Sequence, residues 1–360
     1  MDVFFEKFNK NEDLAKQRDL FVECFPENTG TKVISNDHYL WKFHSISKPI
    51  GSYEYIAKLE NDIIGYYAAI PYPYNVFRKK VNVAMVCDVM TGIKARGKGI
   101  FTKLGIYSIN EFKKEGLAFS TGYPIRPEVI PGHKKAGWEF PFEIPMYGKF
   151  LSLNSFLRSK NKSILRVPAN LLLRIYNGIV SLFNYKSKKD CTIERYSQQQ
   201  LTNIQGLDVF FEKWQKEQNI ALLKSLDFLK WRLGAPDKEY SILILRRSNE
   251  IIGYTIIREV IKEAVPCIGI LDFSLLKNYI EYSSILFRKI EKVCKEKKAE
   301  LILMMMTKEL AKNINVFKNG FFKTPFNFSF IINQFDQSLN QQDLLNEKNW
   351  CLMWIDSDDL

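Results

Sequence analysis

Histidine is scarce in this 360-residue sequence, where His38, His44 and His133 are the whole supply. Six cysteines stand singly, at Cys24, Cys87, Cys191, Cys267, Cys294 and Cys351, with no C-x-x-C pair among them. A zinc site needs clustered thiolate and imidazole ligands at short spacings, so no metal is expected. Scattered cysteines also give no disulfide framework, and reduced thiols in the cytoplasm are the expectation. Long hydrophobic runs are missing as well. The most apolar stretch, ILRVPANLLLRIYNGIVSLFN, is broken by Arg166, Pro168, Arg174 and Gly178, so no segment reads as a transmembrane span. The opening residues MDVFFEKFNKNEDL mix charges without an apolar core, which is not the pattern of a signal peptide.

What the chain does carry is apolar content and positive charge. A hydrophobic fraction of 46% over this length is enough for two cores, and two domains are expected. The net charge of +12 raises the question of nucleic acid, since clustered cations gain from counterion release on phosphates. Lys and Arg are spread along the whole chain, however, and an anionic small molecule or plain solubility accounts for them as well. No nucleic-acid partner is therefore expected. The densest basic stretch, Arg158 to Lys189, surrounds the apolar segment above. It reads either as a surface helix touching lipid or as a linker helix packed between domains, and the linker is the reading taken.

Repeats give more. NDIIGYY at 61–67 returns as NEIIGYT at 249–255, and each follows a strand-like run. DHYLW ending at Trp41 is echoed by DFLKW ending at Trp231, which assigns both tryptophans to packing. MVCDVM around Asp88 is echoed by GILDFS around Asp272, and KKAGWEF around Gly137 by FKNGFFK around Gly320. Four echoes in the same order imply two copies of one α/β unit. Each copy reads as helix, a hairpin-like pair or trio of strands, a further strand, a helix, a strand and a final Gly-aromatic turn. The expected boundaries are 1–150, a basic helical connector at 151–200, and 201–360.

In the first copy the apolar strand VNVAMVCDVMTGI runs into KARGKGIFTKLG. A Gly-rich turn that opens a helix presents unpaired backbone N–H groups backed by the positive end of the helix dipole, which suits a phosphate. The helix is expected to bury Ile100, Phe101, Leu104, Tyr107 and Phe112 on one stripe and to stop at Gly116 as the residue after its C-cap. Counting on from Asp272, the matching turn of the second copy is Ile280, Glu281, Tyr282, Ser283 and Ser284, without glycine and with an added carboxylate.

The run DVMTGIKARGKGIFTKL, followed by HKKAGWEF, resembles the GNAT superfamily of acyl-CoA-dependent N-acyltransferases. Their signature of Arg or Gln, two residues, Gly, one residue, and Gly or Ala falls on Arg96, Gly97, Lys98, Gly99, Ile100 and Phe101, with Phe101 where Gly or Ala is usual. The resemblance implies an α/β fold with a mixed α+β sheet, in two tandem GNAT-like units of which the second is degenerate. It implies that the amides from Arg96 to Thr102 hold the pyrophosphate of coenzyme A. It implies further that the backbone of Val89, Met90 and Thr91 pairs with the pantetheine arm. The spare copy would then shape the acceptor pocket in a cleft.

Aminolysis of a thioester needs a proton acceptor for the amine, a donor for the developing oxyanion and an acid for the leaving thiolate. Asp88, in an apolar strand beside the expected pantetheine track, is the candidate base, although Asp272 at the matching place argues equally for a role in the fold. A strand N–H, that of Val89 or Met90, would serve the oxyanion. In many members of the superfamily a Tyr four residues before the Gly-aromatic pair protonates the sulfur. His133 holds that place here, with Val316 opposite it in the second copy; a surface histidine after VIPG is the plain alternative. Arg126 and Glu128, in the Pro-rich loop GYPIRPEVIPG, could meet the acceptor, whereas Ser120 and Thr121 read as strand residues only.

Among tandem members, the ensemble of WKF, NDIIGYYA, DVMT, RGKGIF and PGHKKAGW most resembles bacterial N-acyltransferases of nucleotide-linked amino sugars for surface polysaccharides. The implied acceptor is a dTDP-3-amino-3,6-dideoxyhexose and the donor acetyl-CoA or a hydroxybutanoyl-CoA. Fem-type aminoacyltransferases using charged tRNA and a non-catalytic scaffold of the same fold are the rival readings; the intact RGKG favours coenzyme A.

Overall fold

The computed structural model describes residues 3–45, 51–184 and 190–358. The first half of the chain contains β1 (Val3–Lys7), α1 (Lys10–Cys24), α2 (Asn36–His44), β2 (Tyr53–Leu59), β3 (Asp62–Val76), β4 (Lys79–Thr91), α3 (Ile100–Lys114), β5 (Phe119–Gly122), α4 (Ile130–Lys135) and β6 (Glu139–Phe150). After α5 (Asn154–Ser159) and α6 (Arg166–Asn184) come β7 (Cys191–Ser197), α7 (Leu207–Lys216), β8 (Ile220–Leu222) and α8 (Leu226–Leu233). They are followed by β9 (Tyr240–Arg247), β10 (Glu250–Lys262), β11 (Val265–Leu275), α9 (Ser283–Glu296), β12 (Leu301–Met305), α10 (Lys308–Asn313), β13 (Phe322–Gln334), α11 (Gln341–Leu345) and β14 (Trp350–Cys351).

These elements form two compact units that do not follow the chain as consecutive segments. The first comprises residues 1–143, 227–237 and 328–346, and the second 144–226, 238–327 and 347–360. In the first unit β1, β2, β3 and β4 are an antiparallel meander. β4 then pairs in parallel with β5 over Val83–Val86 and Phe119–Gly122, and β5 pairs antiparallel with Ile331–Gln334 of β13. In the second unit β7, β9, β10 and β11 form the meander, β11 pairs in parallel with β12, and β12 pairs antiparallel with Met146–Phe150 of β6. The sheets are mixed, as the sequence led one to expect. Residues 144–150 of β6 thus belong to the second unit, and residues 328–334 of β13 to the first.

Local chemistry explains the register. Phe77 and Arg78 both have positive φ between β3 and β4, and so do Glu263 and Ala264 between β10 and β11. Two left-handed central residues make the tight hairpin turn whose twist matches the strands it joins. The core of the first unit forms where α3 lies on the sheet, with Leu104, Ile109 and Phe112 packed against Tyr55, Tyr67 and Ala69. The buried stripe is rotated slightly from the expected one. Gly105, Ser108 and Ile109 go under, while Phe101 and Tyr107 sit half-buried at its edges. Ser108 tolerates burial because its hydroxyl donates to the Leu104 carbonyl at 2.9 Å.

The Gly116 stop is as anticipated. Its φ is +72°, its N–H bonds Lys113 O, and Leu117 N–H bonds Phe112 O, which together form a Schellman motif. The two echoed glycines of the Gly-aromatic turns, Gly137 and Gly320, also share a left-handed backbone at +87° and +82°.

Candidate active site

Strand β4 changes character at Asp88. Tyr66 faces Met90 and Ala68 faces Cys87, so Asp88 and Val89 together stand opposite Tyr67 alone. This is a β-bulge, and Asp88 takes φ +47° within it. A bulge takes backbone groups out of the ladder and re-aims a side chain, which is why bulges recur beside active sites. On the other side of β4 the ladder to β5 ends at Val86 and Gly122, and Cys87 to Thr91 run on without it. Val89, Met90 and Thr91 therefore lie along a strand margin that an extended ligand arm can pair with. Thr91 O already accepts from Arg96 Nε at 3.3 Å and from Cys24 Sγ at 3.5 Å.

The turn after β4 has the geometry required to hold an anion. Gly97 and Gly99 both have φ +75°, and a Cβ at either would meet no atom within 4 Å. The glycines are thus demanded by backbone conformation, and the open space beside them lets a bulky group approach the main chain. Gly99 is the N-cap of α3 and no side chain caps the helix, so the first-turn amides of Ile100, Phe101 and Thr102 point outward. Lys98 stands exposed within the turn and Arg96 at its margin. Between β11 and α9 the second unit has no residue with positive φ among those described, and Tyr282, at the helix N-cap, is buried.

Behind Asp88 lies a polar network that sequence reasoning missed. Lys42 Nζ of α2 donates to Asp88 Oδ1 at 2.9 Å. Glu54 of β2 accepts from the hydroxyls of Tyr39, Tyr66 and Ser52, each at 2.6 Å, and His44 Nε2 lies 3.3 Å from it. Burial alone would push the Glu54 carboxyl up, but the donors His44, Ser52, Tyr39 and Tyr66 outweigh it and hold it below its ordinary value. Arg18 of α1 lies 4.6 Å over the Phe21 ring and 5.1 Å over that of Tyr39. Burial lowers its guanidinium from the usual value, against the opposing pull of Asp88, Tyr66, Tyr39 and Glu54. The signal for this cluster was Glu54 itself, one carboxylate inside the apolar strand YEYIA.

His133 lies away from solvent on α4, only 4% exposed. Its ring is edge-on to Phe101 at 5.0 Å and to Trp138 at 5.6 Å, and Nδ1 has no hydrogen-bond partner. Burial pushes its pKa down to about 4, so the imidazole is neutral at pH 7. Gly132 is needed beside it, because a Cβ there would meet the Phe101 ring at 2.4 Å. Arg126 is exposed and tied to the end of α1 and the turn after it, donating to Cys24 O at 3.1 Å and to Glu27 at 2.6 Å, and Glu128 is exposed too. Ser120 and Thr121 are buried strand residues.

Residues 7–150 match the family described as "Acetyltransferase (GNAT) domain". By this match the stretch is similar to a GNAT acetyltransferase domain. It contains the bulge, the glycine turn and α3, and the fold is the GNAT fold.

Solved structures resemble the chain over 93% of its length. One is a GCN5-related N-acetyltransferase from Anabaena variabilis, 12% identical over 73% of that chain, with a TM-score of 0.63. Another is a conserved protein of unknown function from Enterococcus faecalis, titled a probable N-acyltransferase, 14% identical over 73% of that chain, with a TM-score of 0.63. A third, a GCN5-related N-acetyltransferase from Kribbella flavida, is 8% identical over 71% of its chain, with a TM-score of 0.57. At such identities the likeness is one of fold. No curated protein matches the chain. Among the described residues no group of His, Cys, Asp and Glu is arranged to hold a metal, and no helix is long and apolar enough to cross a membrane.

Proposed function

We propose that this chain transfers an acyl group, acetyl or a short hydroxyacyl such as 3-hydroxybutanoyl, from acyl-CoA to the amine of a nucleotide-linked amino sugar. The single observation that carries the donor half is the turn at Gly97 and Gly99, two left-handed glycines with open Cβ positions before an uncapped helix, placed at the end of the bulged strand. In this reading the amides from Arg96 to Thr102 hold the diphosphate, Arg96 and Lys98 add charge, and Val89, Met90 and Thr91 align the thioester arm. Asp88 receives the proton of the attacking ammonium, and the N–H of Val89 or Met90 donates to the carbonyl oxygen as it becomes negative. His133 is assigned a positioning role, because its buried neutral ring packs against Phe101 in the first turn of α3.

The acceptor half rests on sequence resemblance and on a +12 charge balance that suits a diphosphate-bearing substrate. A dTDP-3-amino-3,6-dideoxyhexose is the first to test, with the reaction in the cytoplasm. We read the chain as two copies of one unit in which only the first binds the donor, a reading supported by the echoed motifs and by the glycine-free turn before α9. The second copy is assigned to acceptor recognition. Calorimetric titration with acetyl-CoA, without RNA, is expected to give saturable binding, and mass spectrometry across a panel of nucleotide amino sugars and acyl-CoAs is expected to find one N-acylated product. Absence of donor binding sinks the reading, and dependence on aminoacyl-tRNA would replace it.

A further inference from the structure

Helix α6 is laid on its unit with the polar side inward. Asn170 Oδ1 accepts from Leu153 N at 2.9 Å, Asn177 Nδ2 donates to Phe150 O at 3.0 Å, and Arg288 binds the carbonyl and hydroxyl of Ser181. The opposite face is apolar and exposed: Leu171, Leu172, Ile175, Ile179, Leu182 and Phe183 are 59, 68, 53, 48, 80 and 86% accessible. A surface helix ordinarily turns its apolar stripe to the core, so this one is reversed. The stripe runs the length of a 19-residue helix, about 28 Å. An apolar patch of this kind marks a surface that meets something else.

Charge selects the occupant. From Leu151 to Lys189 the sequence has eight Lys or Arg and no Asp or Glu. A second copy of the chain laid across this face would bring the same basic stretch against itself, which disfavours self-association. An apolar layer beneath a negative surface satisfies both features at once, and an anionic bilayer has that make-up. We infer that α6 seats the protein on an anionic membrane surface, lying in the plane of the interface with Leu172, Ile175 and Ile179 entering the acyl boundary and the exposed cations before the helix, Arg158, Lys160 and Lys162, at the headgroups. The helix lies on the lipid and does not span it.

Co-sedimentation of the full chain tests this with vesicles of phosphatidylcholine alone and of phosphatidylcholine mixed with phosphatidylserine. Binding to the mixed vesicles is expected to exceed that to neutral ones by about tenfold or more and to weaken as salt is raised. The triple substitution Leu172→Asp, Ile175→Asp, Ile179→Asp is expected to abolish it while leaving the melting temperature and acyl transfer unchanged, since these side chains make no core. Equal pelleting on both vesicle types, no pelleting on either, or pelleting that survives the triple substitution overturns the inference. A concentration-dependent dimer that the same substitutions disperse, without vesicle binding, overturns it in favour of self-association.

Discussion

At the scale of single residues, Asp88 is the side chain on which the chemistry is expected to turn. The bulge sets its backbone at φ +47°, which Asp accepts more readily than most residues, and Lys42 fixes its carboxylate from the rear. Asp88→Asn keeps the shape and removes the proton acceptor, so kcat is expected to fall by about 10²-fold or more with donor affinity unchanged; steady-state kinetics beside a titration reads both. His133 makes a prediction about stability. Its pKa is near 6.5 in the unfolded chain and about 4 in the fold. Between those values the unfolded chain holds a proton that the folded one rejects. The stability contribution is therefore complete above pH 6.5 and lost as the pH falls towards 4, by at most about 3 kcal/mol. His133→Phe, which retains an aromatic ring between Phe101 and Trp138, is expected to flatten that part of the melting temperature's pH profile and to leave turnover within about threefold, whereas a direct acid role would cost about 10²-fold. Asp88 was legible because a lone acid in an apolar strand is conspicuous. The partners Lys42 and Arg18 were not, since a lysine or arginine on a mixed helix face looks like any solvated cation until the fold buries it.

At the scale of elements, α3 shows how a local sequence specifies both ends of a helix. Gly99 opens it and Gly116 closes it, each in a left-handed conformation. Gly99→Ala is expected to cost about 1 kcal/mol through backbone strain, visible as a lowered melting temperature, and to weaken donor binding modestly. Gly99→Glu adds a carboxylate where the diphosphate is placed and is expected to remove binding altogether. A calorimetric titration of the two variants separates strain from charge repulsion. The 3.6-residue period had announced the helix and its closing glycine. It missed the small rotation that buries Gly105, which follows from what packs there: a Cβ on Gly105 would stand 3.5 Å from Ala136 and from Tyr67, residues of other elements.

At the scale of the molecule, the compact units cut across the order of the chain. Residues 227–237 and 328–346 belong with residues 1–143, so β5 has its outer neighbour in Ile331–Gln334 and α8 lies in the first unit. Trp41 and Trp231, the echoed pair, meet there. Each indole N–H donates to the other's carbonyl, at 2.6 and 2.8 Å, and the rings stack at 5.9 Å. A fragment of residues 1–150 is therefore expected to lack a cooperative unfolding transition and to bind coenzyme A far more weakly than the full chain, as calorimetry and circular dichroism would record. Within the intact protein, a double-mutant cycle on Trp41→Phe and Trp231→Phe is expected to show a coupling of about 1 kcal/mol, because the hydrogen bonds are reciprocal.

The strands, the glycine turn, the helix it opens and the acid beside it were determined by the sequence alone, because φ restrictions, hydrophobic period and capping act within a few residues. Tertiary structure decided which strand completes which sheet, which cations gather behind Asp88, how deeply His133 is buried and which way α6 faces. Those depend on burial and on contacts between residues as far apart as Trp41 and Trp231, and no local pattern encodes a contact made across 190 positions.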